Sequence, residues 1–480
     1  MATAASMPVS PSPSPAAGAR LRHALAILLG ALLLAWPALL NRYPLLYPDS
    51  VSYLQEGRAI ARALFFHQLN GFEAMRSEFY SLGIFPFHGN LTPWPIVALN
   101  AVLTSWMLWL VLRSVTPRPA VSSFLVLVAS LSLLTSVSWY VSLLMPDIFG
   151  PLLYLSIYLL VFARETLSRP ELWALSVLAV WATTTHATHL MLAVGLCALL
   201  ALLLFRWPPM AGRGRAVAHV AGLVAVAAVA QMSLHAYLYD HPSLNGNHPP
   251  YLMARVIADG PGATYLQQHC AAHGRPGLDW AICADAAHLP DNDDDFLWAE
   301  GGVWQSADKP TQQRLLAEEM PLVLATLRTY PRQQAARSFA NFTQQLDDFG
   351  VNDFDNNDWM QQALPQVIPS AAVTYPRTLQ ARSVVPSEVF TTLQRWVVYA
   401  CILTLAAMSP WLRRHRRYRL RGLVAIIVPT LLANAFVTAV LSSSDSRYQA
   451  RVIWLIPLAA ALAALDILAQ RKNASPPTAP

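Results

Sequence analysis

Ten stretches of this 480-residue chain are apolar over about the length that crosses a bilayer, since about 20 apolar residues span the hydrocarbon as a helix. That pattern leaves few folds. Inside lipid every backbone N–H and C=O must find a partner, and a helix satisfies them within one segment. The reading is an all-α polytopic membrane protein. The chain is 55% hydrophobic and 12% charged, whereas soluble proteins carry about 25% charged residues. Its net charge of +6 is then a topology signal rather than a mark of nucleic acid, and no nucleic-acid partner is expected.

The expected spans are Ala24–Leu40, Ile96–Leu112, Ala120–Val137, Ile148–Phe162, Leu172–Thr184, Leu190–Phe205, Ala216–Leu234, Val397–Trp411, Gly422–Leu441 and Val452–Leu468. Leu172 to Phe205 is 34 residues, roughly 50 Å as one helix at 1.5 Å per residue. That is too long for one crossing, so the sequence predicts two short helices with a tight turn at Thr183–His189. Alternate connections carry cations: Arg20/Arg22, Arg113/Arg118, Arg164/Arg169, Arg206/Arg213/Arg215, the cluster Arg413–Arg421, and Arg471/Lys472. They hold 17 of the 33 cations. Cytoplasmic loops accumulate Lys and Arg, so both termini are placed in the cytoplasm of a bacterium, with the chain in its inner membrane.

This divides the chain into a cytoplasmic tail (1–19), an N-terminal membrane module (20–235) with an outer loop (41–92), an extracytoplasmic, mostly helical loop domain (236–395), a C-terminal membrane module (396–470) and a second tail (471–480). Residues 50–66 read as an amphipathic interfacial helix. Helical patterns at Thr311–Thr329 and Arg332–Asp347 flank Tyr330-Pro331. Cys270 and Cys283 are disulfide candidates, because an extracytoplasmic compartment permits the bond. Cys197 and Cys401 read as small core hydrophobes.

Two Pro-Asp steps fall on the outer side of this topology. Asp49 lies in Tyr47-Pro-Asp-Ser-Val-Ser-Tyr53 and Asp147 in Met145-Pro-Asp147. An ionisable residue at membrane depth is expensive and points to function. Asp49 reads either as a helix cap, shared with Ser50, or as a general base whose proton affinity apolar walls raise. Glu56 is two turns on and Tyr53 one turn on, so both are candidates beside it. Asp147 reads as a first-turn acid on the helix dipole, as a metal ligand, as a group orienting a sugar hydroxyl, or as an arginine's partner. Arg447, Tyr448 and Arg451 follow in Ser444–Arg451. Arg447 and Arg451 share a helix face; outer cations fit either phosphate, which guanidinium grips with two N–H groups, or snorkelling to headgroups. His186 and His189 lack an evident third metal ligand and read as polar packing. Asp291–Asp295 lacks the glycine of a calcium loop, Phe296 standing there, and reads as a solvated acidic loop.

With these motifs and seven helices before a major outer loop, the chain resembles the GT-C superfamily of integral-membrane glycosyltransferases. The resemblance implies a polyprenyl-phosphate sugar donor and a glycan, lipid or protein acceptor outside the cytoplasm. It implies a catalytic role for Asp49, a second acidic position at Asp147, and donor-phosphate contacts from Arg447 and Arg451. Asp49 is followed by Ser50 and Val51 rather than by a second acid. The cofactor therefore stays open; a divalent metal, Mg or Mn, on Asp49 and Asp147 is compatible. Two other readings stand beside this one. The first is an envelope-glycan polymerase or ligase using a diphosphate-linked oligosaccharide. The second is a non-enzymatic lipid or glycan transporter, although no internal repeat of the kind common in transporters is visible.

Overall fold

Proline and backbone pairing decide where the apolar stretches break. The computed structural model describes residues 15–68, 76–270, 279–352, 354, 356–415 and 417–474. Most of the expected tails (1–14 and 475–480) and Arg416 lie outside them, as do the side chains of Arg471 and Lys472. Among the described residues the regular structure is helical, with no strand beyond one isolated bridge, Leu45 to Leu143.

The first half comprises α1 (Pro15–Leu34), α2 (Trp36–Asn41), α3 (Pro48–Phe66), α4 (Glu78–His88), α5 (Trp94–Val115), α6 (Val121–Leu134), α7 (Val137–Ser142), α8 (Phe149–Phe162), α9 (Arg169–Thr184), α10 (Ala187–Arg206) and α11 (Gly214–Tyr239). Then follow α12 (Tyr251–Ala258), α13 (Pro261–His269), α14 (Asp293–Trp298), α15 (Val303–Ser306), α16 (Lys309–Thr329), α17 (Pro331–Asp347), α18 (Asp358–Val367) and α19 (Ala371–Thr374). The chain closes with α20 (Ser387–Arg414), α21 (Tyr418–Leu441), α22 (Ser446–Ile453) and α23 (Leu455–Ala474).

Among the described residues, six helical segments are long and apolar enough to cross a membrane: α5, α10, α11, α20, α21 and the run Ser446–Leu468. The other four expected spans are broken or short. Ala24–Leu40 is interrupted at Ala35, where Pro37 removes a backbone donor and crowds the preceding turn. α6 and α8 have 14 residues each and α9 has 16, about 21–24 Å at 1.5 Å per residue. The stretch from Leu172 to Phe205 does break, at Thr185 and His186, and the His186 side chain accepts the Thr188 N–H to cap α10.

All 14 residues of α8 are buried, as expected of a helix that is apolar all round. It packs against α5, α9, α11 and α21 and forms the central post of the bundle. Arginines gather at one end. Arg113 pairs with Glu171 at 2.8 Å, Arg419 pairs with Glu165 at 3.0 Å and reaches the Ser114 carbonyl at 2.8 Å, and Arg164 meets His219 at 2.9 Å. At the other end, Tyr43–Tyr47 runs extended through the core, with Leu45 and Leu46 fully buried. Leu45 N–H donates to the Ser142 carbonyl at 2.9 Å and Leu144 N–H to the Leu45 carbonyl at 3.0 Å. The Gln380 side chain serves both backbone groups of Leu46.

The buried apolar residues between α11 and α20 fall in two clusters. Residues from Met253 to Val323 form a separate small core, and Cys270 is joined to Cys283. Phe349, Phe354, Met360, Leu364 and Tyr375 instead belong to the core of the bundle.

Gly57 lets α3 approach α4: a Cβ there would collide with the Ser81 carbonyl oxygen and meet the Phe85 side chain. Gly57→Val should destabilise the protein by about 1–3 kcal/mol through overpacking, seen as a lower thermal midpoint in detergent.

Candidate functional site

The end of the bundle opposite the arginine girdle collects most of the candidate residues. Asp49 occupies the first turn of α3 but is not its cap. Tyr47 stands at the cap position, and the Ser50 hydroxyl accepts the Tyr47 N–H at 2.8 Å. That leaves the half-buried Asp49 carboxylate free of capping duty, and it pairs with Arg76 at 2.6 Å. Arg76 also hydrogen-bonds Tyr251 of α12 and lies 5.1 Å from the ring centre of Trp298 in α14. One arginine thus ties the first loop to the small domain. Burial opposes the charge on Arg76, but Asp49 and the neighbouring tyrosines outweigh it and raise its pKa, so it stays cationic.

Asp147 sits in the single turn Pro146–Ile148 before α8. Of the roles open to it, the structure shows the arginine partner: Arg451 approaches at 3.4 Å, with the two side chains 1% and 3% exposed for Arg451 and Asp147. Arg451 also reaches the Asn434 side-chain oxygen at 3.2 Å. Breaking a buried pair strands a charge, which costs far more than the intact pair contributes.

Arg447, one turn before Arg451, is buried and lies 3.8 Å from the centre of the Tyr47 ring and 5.0 Å from that of Tyr448. Its Nε and Nη1 find no hydrogen-bond partner among the described residues. Tyr140 fixes the backbone here by donating to the Arg447 carbonyl at 3.0 Å, and Asp445 caps α22 by accepting the Arg447 N–H at 2.8 Å. A buried guanidinium stacked on an aromatic face is held by cation–π attraction. Its unpaired Nε and Nη1 are of the kind that grips carboxylate or phosphate with two parallel N–H groups.

Tyr448 lies within electrostatic reach of Asp49 and of both arginines, and Tyr53 within reach of Asp49, Asp147, Arg76 and Glu56. These tyrosines therefore connect the two aspartates to one region. Glu56 turns aside: Ser81 of α4 donates to it at 3.5 Å. Glu78 of α4 is a second buried acid, held by His235 at 3.1 Å and by the Tyr239 hydroxyl. Among the described residues no three His, Cys, Asp or Glu side chains converge as a metal centre, and Asp49 and Asp147 each have an arginine partner. His189 packs against the Ala182 carbonyl at 2.9 Å.

Several residues here went unread in the sequence. Arg76 is a cation in the same outer loop as Asp49, so the charge rule that flags Arg447 flags it too. His186 caps α10 and also lies within electrostatic reach of Arg451, Arg447 and Arg76. Tyr251 and Trp298 carry no local signal, because only folding of the small domain brings them to Arg76. The acidic run at Asp291–Asp295 is not wholly solvated. Asp293 is buried and pairs with Arg255 at 3.1 Å. Asp294 keeps solvent contact, yet surrounding protein first, then Asp293 and Asp445, pushes its pKa up to about 6.

No protein-family model, curated protein or solved structure matches this chain.

Two outcomes follow. Arg451→Ala should cost about 3–5 kcal/mol, because Asp147 is left buried without its partner; thermal unfolding of the purified protein measures it. Asp294 has a folded pKa above its ordinary 3.8, so the native state binds the extra proton, and its destabilising effect develops as pH rises from about 4 to 6. Asp294→Asn should raise the thermal midpoint above pH 6, and the gain should vanish below pH 4.

Proposed function

We propose that this protein is a membrane-embedded glycosyltransferase that moves a sugar from a polyprenyl-phosphate donor to an acceptor hydroxyl. The supporting observation is Arg447, a buried guanidinium with two nitrogens that have no hydrogen-bond partner among the described residues, on the same side of the bundle as an aspartate that is free of helix capping. Asp49 takes the proton from the acceptor hydroxyl. The acceptor oxygen attacks the anomeric carbon, and the bond from that carbon to the phosphate oxygen breaks with its electron pair going to the phosphate. Arg447 stabilises the charge that develops there, an electrostatic contribution that often dominates catalysis. Arg451 acts through its pair with Asp147, which fixes the helix presenting Arg447. Arg76 holds the Asp49 carboxylate in place, and Tyr53 and Tyr448 lie within electrostatic reach of it.

An apolar groove of about 360 Å³ is lined by Phe79, Trp173, Val177, Val180, Trp181, Thr184 and Leu223. The Thr184 carbonyl accepts the hydroxyl of Ser77, the neighbour of Arg76 in the chain, at 3.0 Å. A polyprenyl tail suits such a lining. The reading includes ten crossings of a bacterial inner membrane, with both termini cytoplasmic and the site facing outward. The acceptor is a glycan, lipid or protein, and a divalent ion, if used, arrives with the donor phosphate.

The test is envelope-glycan mass spectrometry on a deletion strain complemented at matched membrane levels. Wild type should restore a missing sugar. Asp49→Asn should cut transfer by about 10²–10⁴-fold, the range for losing a general base. Full restoration by Asp49→Asn would remove Asp49 from the chemistry, and an unchanged glycan on deletion would remove the transferase reading.

A further inference from the structure

The helical hairpin α16–α17 carries its large apolar residues outward. On α16, Leu316, Met320, Leu324 and Leu327 are exposed; spaced by four, four and three, they form one helix face. Every exposed residue between Arg314 and Arg328 is apolar, Ala317 and Pro321 completing the set. The opposite side of the helix buries Leu315, Leu322 and Val323 together with two acids. Glu318 accepts the Ala281 N–H at 2.6 Å, and Glu319 accepts the Leu252 N–H at 2.8 Å. The small domain thus turns carboxylates inward while leucines face out.

On α17 the inversion is clearer. Its inner side is polar, with Gln334 and Gln345 buried and Ser338 and Asn341 half-buried; Gln334 and Asn341 donate to Asp259 and Gln345 donates to the Asp445 carbonyl. Its outward side includes Ala335, Ala336, Phe339 and Ala340, and Phe339 is 66% exposed. In water such a surface is unfavourable by about 25 cal/mol per Å², and contiguous apolar patches mark interaction surfaces.

The occupant follows from what adjoins the patch. α17 packs against α21, one of the membrane-crossing helices. Phe339 touches Phe342 at 6.5 Å between ring centres, and Phe342 touches Phe436 of α21 at 6.3 Å. Phe436 and Leu432 are themselves exposed on α21, where the surroundings of a membrane span are acyl chains. An aromatic strip therefore runs without a break from the lipid-facing side of α21 onto the hairpin. Exposed Arg314, Arg328, Arg332 and Arg337 flank the apolar faces, as cations do on interfacial helices whose stems lie along lipid and whose charges meet headgroups.

We infer that the α16–α17 hairpin lies in the bilayer leaflet nearest the candidate site, with the exposed face of α16 and Phe339 against acyl chains. It anchors the small domain, whose Tyr251 and Trp298 close on Arg76, to the membrane surface. This does not depend on the sugar-transfer reading.

The experiment attaches an environment-sensitive fluorophore to the full-length protein through Leu324→Cys or Phe339→Cys in a Cys197→Ala, Cys401→Ala background. The variants are reconstituted in phosphatidylcholine/phosphatidylglycerol nanodiscs. Both labels should emit blue-shifted light. They should lose most of their intensity when the lipids carry bromine on the acyl chains, and iodide should leave them unaffected. A label at Gln313→Cys, one turn beyond the N-terminal end of the apolar face and next to exposed Arg314, should show the reverse. Quenching of positions 324 and 339 by iodide would overturn the inference, since those faces would then meet water. Protection from both quenchers would also overturn it, since protein would then cover the hairpin.

Discussion

The buried pair of Asp147 and Arg451 joins segments 304 residues apart, and the geometry of the candidate site depends on it. Asp147 marks the entrance to α8, the fully buried post of the bundle. Arg451 belongs to α22, the short helix that opens the membrane-crossing run Ser446–Leu468. Asn434 accepts from Arg451, and its amide donates to the Tyr448 carbonyl at 2.8 Å. Ser136 donates to the Ala450 carbonyl at 2.6 Å. These bonds leave α22 little freedom to rotate, so Arg447 is directed at the Tyr47 ring. Such a pair is a poor source of net stability, because desolvation offsets most of its attraction. What it supplies is orientation.

The extended segment Tyr43–Tyr47 is the second constraint. Its backbone groups cannot remain unpaired in an apolar core. Ser142, Leu144 and Gln380 satisfy them, from the end of α7 and from a loop more than 300 residues later. The same segment carries Tyr47 and delivers α3 with Asp49 at its first turn. The two halves of the site are thus positioned by backbone pairing on one side and by a buried charge pair on the other. Arg76 then links both to the small domain, and the lipid-facing hairpin gives that domain a second attachment.

Local signals were readable wherever chemistry acts within a few residues. Pro331 separates α16 from α17 where Tyr330-Pro331 predicts a break. The Leu172–Phe205 stretch folds as two helices, as its length predicts, and the His186 side chain caps the second. Arg113, Arg164, Arg213 and Arg419, far apart in the chain, gather at one end of the bundle around Glu165, Glu171 and His219. Crossing number was harder to read, since α6, α8 and α9 are apolar but short and buried by neighbours rather than stretched to full span. Asp49 was legible as a candidate, whereas its release from capping was not: Tyr47 and Ser50 complete the cap without it.

By itself the sequence determined the class of the protein, the position of its long helices and the residue types available for chemistry, because hydropathy, proline and charge act locally. Only the tertiary structure decided that Asp147 belongs to Arg451, that Asp49 belongs to Arg76, and that Tyr251 and Trp298 approach the same arginine. It alone turned Glu318 and Glu319 inward and Leu324 and Phe339 outward. Local periodicity gives a helix two sides, and the partner packed against each side, often hundreds of residues away, settles which one is buried.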